Sequence, residues 1–485
     1  MISAASSSRV SDRDRRDQEV RWHPSEDPRL PDLEVATVAV PLDHDDVDGR
    51  QIDIGLARHR ATDPAARLGV LLVCPDDPGN RGTVLLPRLR QSLPDDVLTH
   101  FDLVGFDHRF SGSSTPLTAG LSQEDCYWAF HHPVSFEQEV EFQRDLVARC
   151  FRAVGPMLPY ITTRNIARDI DVLRSALGEE RISLLGHSYG SYIAAVYSQL
   201  FGRHADRLVL DSVIDPAWVW QGLFTNVAEG AQHGLGRWAR WVATEGAALG
   251  LGGTSAEVIG YVERLLTEAR ARPPRLGPIT LDEGMLRMTI VIMLSDDATY
   301  GPLAVLLRAA AGDAPLDDGT QAMFGAMFGQ PREESGAIAQ LAILGGEARW
   351  SRDLNSYRAA VKADAERLPL VGATMAMPKA GTFWPVDPTE PPTEIGPGNV
   401  APGLLLVQSE HDPFTPASGA RHLRELLPDN SRLVVAAGVA AHRLFPFHGH
   451  PAVDGVVRDY LLTGDLPPAD STVGADHTAP TEEDS

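Results

Sequence analysis

Residues 181–200 read RISLLGHSYGSYIAAVYSQL, with the pentapeptide Gly186-His187-Ser188-Tyr189-Gly190 at their centre. Residues 181–185 form a short apolar run of the kind that suits a strand buried on both faces, and residues 191–200 follow with a helical pattern. A serine between strand and helix, flanked two positions away on each side by glycine, predicts a nucleophile elbow. The turn is so tight that a Cβ at either flanking position would collide across it. That elbow predicts a strand–turn–helix unit inside an α/β domain, with the Ser188 hydroxyl raised at the carboxyl end of a sheet.

A serine hydroxyl is a weak nucleophile near neutral pH, so it needs a base in reach and a carboxylate that holds the base in the right tautomer. The chain order expected for this arrangement is serine, acid, histidine. Asp412 lies in SEHDPFTP just past an apolar run at 402–408, and His442 lies in AAGVAAHRLF just past a second run at 432–436. Residues 417–427 between them carry a helical pattern, so both groups are expected at strand carboxyl ends. Glu410 is an alternative acid, and His448 and His450 are alternative bases. His187 and His411 adjoin the nucleophile and the acid in sequence, and neighbours in a turn point away; they read as scaffold.

Further outward, residues 34–42 and 51–60 read as an antiparallel strand pair, the second alternating Ile52, Ile54 and Leu56 against polar or small residues. Buried-strand runs recur at 69–74, 101–106 and 207–210, and residues 163–177 form an amphipathic helix with Thr162 or Thr163 as N-cap and Gly178 at its end. Strands alternating with helices predict a doubly wound, mostly parallel α/β sheet. The expected organisation is a flexible N-terminal arm at 1–30, a first core segment at 31–216, a helical cap at 217–399 inserted before the last two core strands, a second core segment at 400–466 with a last helix near 453–462, and a disordered acidic tail at 467–485.

The 485 residues carry 43 basic and 66 acidic side chains, a net charge of −23 spread along the chain, which argues against nucleic acid or an anionic membrane as partner. No window approaches a membrane span, and the first twenty residues lack the apolar core of a secretory leader. Three cysteines, Cys74, Cys126 and Cys150, show no metal-binding spacing. No metal and no cofactor is expected, and the expected compartment is the cytoplasm.

Several long segments in order carry a resemblance: VPLDHDDVDGRQIDIGLARHRATD, FDLVGFDHRFSGSSTP, the elbow region from Tyr160 to Pro216, AILGGEARW, FWPVDPTEPP and LLVQSEHDPFTPASGA. The chain resembles the α/β-hydrolase peptidases related to proline iminopeptidase, in their actinobacterial tripeptidyl-aminopeptidase-like branch. The resemblance implies an α/β-hydrolase fold and a serine hydrolase with Ser188 as nucleophile, Asp412 as acid and His442 as base. It also implies a cap that closes over the free amino end of a short peptide, and an oxyanion hole built from the backbone N–H groups of Tyr189 and Asp77. Glu347, in AILGGEARW, is the implied acidic receiver of the substrate amine.

Four departures from that family pattern stand out. The glycine-rich loop GGPGGSG is replaced by Asp76-Asp77-Pro78-Gly79-Asn80-Arg81-Gly82, which sets carboxylates beside the developing oxyanion and makes Arg81 their expected partner. RGxG has become Arg109-Phe110-Ser111-Gly112, and Val439-Ala440-Ala441 precede His442 where GxG is usual. Gly345, Gly381, a residue at or beside Ala452 and a residue near Gly474 occupy positions where secreted relatives carry paired cysteines, in keeping with a reducing compartment. Cys126 and Cys150 would be free to bridge in an exported protein. The substrate is therefore expected to be a small molecule or short peptide cleaved at an amide. An esterase or lactone hydrolase acting on a non-peptide metabolite is one rival, and a catalytically impaired binding or regulatory protein on the same scaffold is another.

Overall fold

The computed structural model describes residues 20–131, 135–245, 249–277, 279–328 and 331–474. Ten strands form one sheet in the order β1-β2-β3-β5-β4-β6-β7-β10-β11-β12. They are β1 (His23–Pro24), β2 (Glu34–Pro41), β3 (Gln51–His59), β4 (Gly69–Val73), β5 (Phe101–Phe106), β6 (Ile182–His187), β7 (Ala205–Asp211), β10 (Leu404–Ser409), β11 (Ser431–Ala437) and β12 (Ser471–Gly474). A separate two-residue hairpin, β8 (Arg275–Leu276) and β9 (Ile279–Thr280), lies in the cap. β2 pairs antiparallel with β3 and β3 with β5, while β5, β4, β6, β7, β10, β11 and β12 run parallel.

The burial of these strands follows from their residues. GVLLV of β4 and LLLVQS of β10 are buried throughout, because helices cover both faces of the sheet there. β3 alternates only over its first four residues, with Ile52 and Ile54 inward and Gln51 and Asp53 outward. The amphipathic helix spans Thr163–Ala176 with Thr162 as its N-cap, its hydroxyl accepting from the Asn165 N–H. Helices Tyr189–Phe201 and Ala417–Leu426 make the crossovers from β6 to β7 and from β10 to β11.

Both chain ends extend further into the fold than the arm and tail expected from composition. β1 adds a strand beside β2, Leu30 and Leu33 are buried, and the Arg58 guanidinium stacks 4.0 Å from the Trp22 ring. At the other end β12 pairs in parallel with β11, and Asp470 accepts the Leu433 N–H at 2.9 Å. Residues 1–19 of the arm and 475–485 of the tail lie outside the described residues.

The chain between β7 and β10 is helical: Gln221–Glu245, Ser255–Ala271, Glu283–Met293, Tyr300–Ala311, Asp318–Phe328, Glu334–Gly346, Leu354–Arg367 and the short Gly372–Met375. Among the described residues no helix is long and apolar enough to cross a membrane. Helix Glu334–Gly346 ties this cap to the core. Glu334 accepts the N–H groups of Ala119 and Leu121 and the Thr118 hydroxyl, and Ser335 donates to the Phe110 carbonyl. Its Gly336 also meets Gly79 so closely that a Cβ on either would stand 2.2 Å from the other's carbonyl oxygen. A helix without a sequence forecast, Phe136–Val154, supports the cap from below through a buried Glu139–Lys379 pair at 3.4 Å.

Candidate active site

Ser188 caps the amino end of helix Tyr189–Phe201 with φ +53° and ψ −118°. That backbone is sparsely populated for a residue with a side chain and costs about 1–3 kcal/mol, which the surrounding packing must hold. The flanking glycines are demanded by contact: a Cβ on Gly186 would stand 2.2 Å from the Gly190 carbonyl oxygen, and one on Gly190 3.0 Å from both the Cys74 Cβ and the Pro75 carbonyl oxygen. The Ser188 N–H is tied to the Asp211 carbonyl of β7 at 3.0 Å.

Asp412 follows β10 and His442 follows β11, and Nδ1 of His442 lies 2.9 Å from Oδ2 and 3.1 Å from Oδ1 of Asp412. The carboxylate accepts four further bonds, from the N–H groups of Phe414 (2.8 Å) and Thr415 (2.9 Å), from the Thr415 hydroxyl (2.7 Å) and, longer, from the Gln408 amide (3.5 Å). Burial opposes charge on Asp412, but the adjacent imidazole and the Thr415 donors outweigh it and hold its carboxyl below the usual range. His442 is held from the cap side as well, its backbone N–H donating to the Ser295 carbonyl at 2.7 Å. Thr415 was not picked out from sequence. Its position three residues after an aspartate, in Asp-Pro-Phe-Thr, is the signal that announces such a turn.

The other titratable neighbours are committed elsewhere. Glu410 is half exposed and accepts the Gly438 N–H at 2.8 Å, while His411 lies 3.7 Å from it. His187 is buried with Nε2 2.6 Å from the Phe445 carbonyl; His448 pairs with Asp297 at 3.1 Å, and His450 caps helix Pro451–Thr463. Asp296, Asp297 and His448 bring one ligand atom each within 4.8 Å of one another, outside the cavity lining described next.

Ser188 and His442 open onto one cavity of about 350 Å³. Its floor is core: Asp76, Asp77, Ser188, Tyr189, His442 and Arg443. Its roof is cap, with Trp220, Leu223, Phe224 and Val227 at or beside helix Gln221–Glu245, Met288 and Ile292 from Glu283–Met293, Gln340 and Leu344 from Glu334–Gly346, and Met375. The result is an apolar chamber with charge confined to the nucleophile end.

The oxyanion loop differs from expectation in two respects. Arg81 binds Asp107, Asp27 and Glu333 rather than the loop carboxylates. Asp76 instead pairs with Arg443 at 2.7 Å, and Asp77 accepts from the Gln340 amide at 2.9 Å with Arg332 at 3.6 Å. Burial works to raise Asp76, yet Arg443 and His187 pull its carboxyl below the usual range, whereas burial pushes Asp77 up to about 6. The second difference concerns the backbone. The Tyr189 N–H donates to the Asp76 carbonyl at 3.3 Å. A trans peptide holds its C=O and N–H on opposite sides, so the Asp77 N–H is directed away from the Tyr189 N–H and is not the second oxyanion donor here. Neither aspartate has a positive φ, a freedom that glycines at these positions would have.

Glu347 caps the carboxyl end of helix Glu334–Gly346 but does not line the cavity. It is buried behind Trp220 and Tyr189, accepting from the Thr163 hydroxyl at 2.8 Å and the Trp220 indole at 3.2 Å; the Thr163 hydroxyl in turn lies 3.0 Å from the Tyr189 hydroxyl. Burial pushes the Glu347 carboxyl up to about 7.

A strained serine after the central strand, lining one cavity with a histidine paired to an aspartate at later strand ends under a helical cap, defines a serine hydrolase on the α/β-hydrolase fold. Residues 79–272 match the family described as alpha/beta hydrolase fold, and residues 369–473 the family described as TAP-like protein. The tripeptidyl aminopeptidase of Streptomyces coelicolor is 31% identical over 465 residues, covering 92% of this chain and 84% of that protein. Serine protease Hip1 of Mycobacterium tuberculosis is 28% identical over 464 residues (89% and 85% covered), and carboxylesterase B of the same species 29% identical over 463 (89% and 85%). The chain belongs to the tripeptidyl-aminopeptidase-like family of α/β-hydrolase serine hydrolases.

Proposed function

We propose that Ser188, His442 and Asp412 form a catalytic triad that cleaves an amide at the amino end of short peptides through an acyl-enzyme. The observation that carries this reading is the shared cavity: the elbow serine and the aspartate-held imidazole open onto one chamber of about 350 Å³ that the cap roofs over. A chamber at the small end of ligand pockets suits a peptide end better than the middle of a chain. In the proposed cycle His442 takes the Ser188 proton as the oxygen attacks the carbonyl, while Asp412 keeps the imidazole in the required tautomer and stabilises its charged form. The tetrahedral oxyanion settles on the Tyr189 N–H, displacing the long bond to the Asp76 carbonyl. His442 passes the proton to the leaving amine, and water repeats the sequence to free the acid.

A fluorophosphonate probe is expected to label the wild type and to spare Ser188→Ala; folded wild-type protein that resists the probe defeats the assignment. Acetylating the substrate's amino end is expected to lower kcat/KM, and an unchanged value defeats the aminopeptidase reading. The apolar roof and the carbonyl lying over the Tyr189 N–H favour one rival, an esterase for a non-peptide acyl group, since an activated ester asks less of the oxyanion hole than an amide. Aminoacyl arylamides compared with short acyl nitrophenyl esters separate the two.

We infer a cytoplasmic location from a chain whose three cysteines are all buried and unbridged. In the cap, a Cβ on Gly345 would stand 3.2 Å from the Gly381 nitrogen, and one on Gly381 2.2 Å from the Trp350 ring. Tryptophan packing therefore fills a place where a bridge between these two positions would sit. Fractionation of the producing cell tests the inference, and recovery from the culture medium overturns it.

A further inference from the structure

The cavity wall carries three charged side chains besides the triad: Asp76, Asp77 and Arg443. Asp76 and Arg443 neutralise each other at 2.7 Å. Asp77 is left in a different condition. Its Oδ1 takes the Gln340 amide at 2.9 Å, and Arg332 approaches the same oxygen only to 3.6 Å. Arg332 is shared, lying 3.3 Å from the Cys126 carbonyl and 3.4 Å from the Gln340 amide oxygen, with its plane 5.5 Å from the Tyr127 ring. No donor among the described residues hydrogen-bonds Asp77 Oδ2. The side chain lines the cavity and keeps 36% of its surface accessible. With its carboxyl pushed up to about 6, it is an anion above that pH, looking into a chamber otherwise lined by Trp220, Leu223, Phe224, Met288 and Ile292. An incompletely paired carboxylate in such surroundings is costly, and a cation brought by the substrate removes the cost.

Position narrows the identity of that cation. The Asp76 carbonyl oxygen stands 3.3 Å from the Tyr189 nitrogen, where the oxygen of the attacked carbonyl must settle. Asp77 is the next residue, about 3.8 Å further along the chain from Cα to Cα. Chain connectivity therefore keeps its carboxylate within about 10 Å of that position, in reach of the amino end of a bound substrate. Glu347, the other acid near the site, is sealed behind Trp220 and already holds two donors.

Resting on the aminopeptidase reading, we infer that Asp77 is a specificity-determining residue: its carboxylate receives the α-ammonium of the same residue whose carbonyl Ser188 attacks, so the enzyme releases one residue at a time. The oxyanion loop thereby couples substrate choice to the reacting carbonyl, a task that its altered sequence suits better than plain donation of N–H groups.

The test compares alanine p-nitrophenyl ester with propionic acid p-nitrophenyl ester, which share carbonyl and leaving group and differ by the ammonium. Wild type is expected to prefer the alanine ester. Asp77→Asn, which keeps an acceptor for Gln340, is expected to lower the ratio of kcat/KM on the alanine ester to that on the propionic ester by about 10- to 100-fold. Asp77→Glu is expected to keep part of the preference. An equal fall on both esters, or a preference that survives Asp77→Asn, overturns the proposal. Alanyl arylamide is expected to turn over faster than the Ala-Ala-Ala arylamide, and the reverse order overturns the single-residue register. A protein that cleaves the esters but no arylamide defeats the aminopeptidase reading, and the ester pair still decides the role of Asp77. In Ser188→Ala, alaninamide is expected to raise Tm more than propionamide does; equal shifts count against Asp77 even in a preparation without turnover.

Discussion

The two halves of the active site are built to different standards. On the Ser188–His442 side the acid and the turn are closely held: Asp412 gathers His442, Thr415 and the Phe414 N–H, and the Ser188 turn is enforced by contacts that exclude any side chain at Gly186 or Gly190. On the oxyanion side two carboxylates stand where an anion must form, one satisfied by Arg443 and the other partly open to the cavity. The 76–77 peptide also presents its carbonyl to the Tyr189 N–H. The contrast teaches that nucleophile activation and charge stabilisation are separable. The first depends on fixed side-chain geometry, the second on which way one peptide faces.

The comparison breaks first at the proton-transfer side if that side is not catalytic. Ser188→Ala is expected to abolish probe labelling and to lower kcat by at least about 10³-fold, and Asp412→Asn by about 10⁴-fold through the wrong imidazole tautomer. Both are measured on whichever ester or arylamide proves the better substrate. An Asp412→Asn protein that retains most of its activity shows that the pairing with His442 is structural.

The oxyanion side is probed by a gain. Replacing Asp76 and Asp77 together by glycine removes both charges and lets the peptide turn, so kcat on the neutral propionic ester is expected to rise by about 10- to 100-fold, within what one oxyanion donor is worth. Arg443 then loses its partner, and a matched Asp76→Asn, Asp77→Asn variant separates the charge from the backbone. If the asparagine pair gains as much as the glycine pair, charge is the defect; if only the glycines gain, the peptide orientation is. No gain in either shows that the loop does not limit turnover.

What could be read in the sequence follows the same division. The elbow was legible because a turn that tight admits only glycine at fixed positions, and the Asp412–His442 pair was legible because strand ends deliver both residues. The oxyanion donors are backbone groups, and side-chain letters do not report which way the peptide between Asp76 and Asp77 faces. Arg443, which neutralises Asp76, lies 367 residues away in the chain. The helix Phe136–Val154 escaped because its buried face includes Glu139 and Gln143, and that polarity is explained only by Lys379 and His131 packed against it. Glu347 was read as a group that meets the substrate; Trp220, 127 residues earlier, covers it.

Glu347 also supplies the smallest of the tests, one that asks whether the Tyr189 side of the oxyanion site has its own pH response. Its carboxyl is pushed by burial from an ordinary 4.5 to about 7, so between those values the folded protein keeps a proton that the unfolded chain has lost. Stability contributed by that group therefore falls as pH rises through the window, by about 1.4 kcal/mol per unit and roughly 3 kcal/mol in total. Glu347→Gln cannot ionise, and its amide oxygen can still accept from Thr163 and Trp220. Urea midpoints of wild type and variant are expected to move in the variant's favour as pH rises from 4.5, most of the change falling between about pH 5 and pH 7, and to level off above pH 7, where the carboxylate ionises in the folded protein as well. Parallel stability curves across that range show that Glu347 is charged throughout, and the hydrogen bonds from Thr163 and Trp220 then hold an anion directly behind Tyr189, adding a third negative charge to those of Asp76 and Asp77.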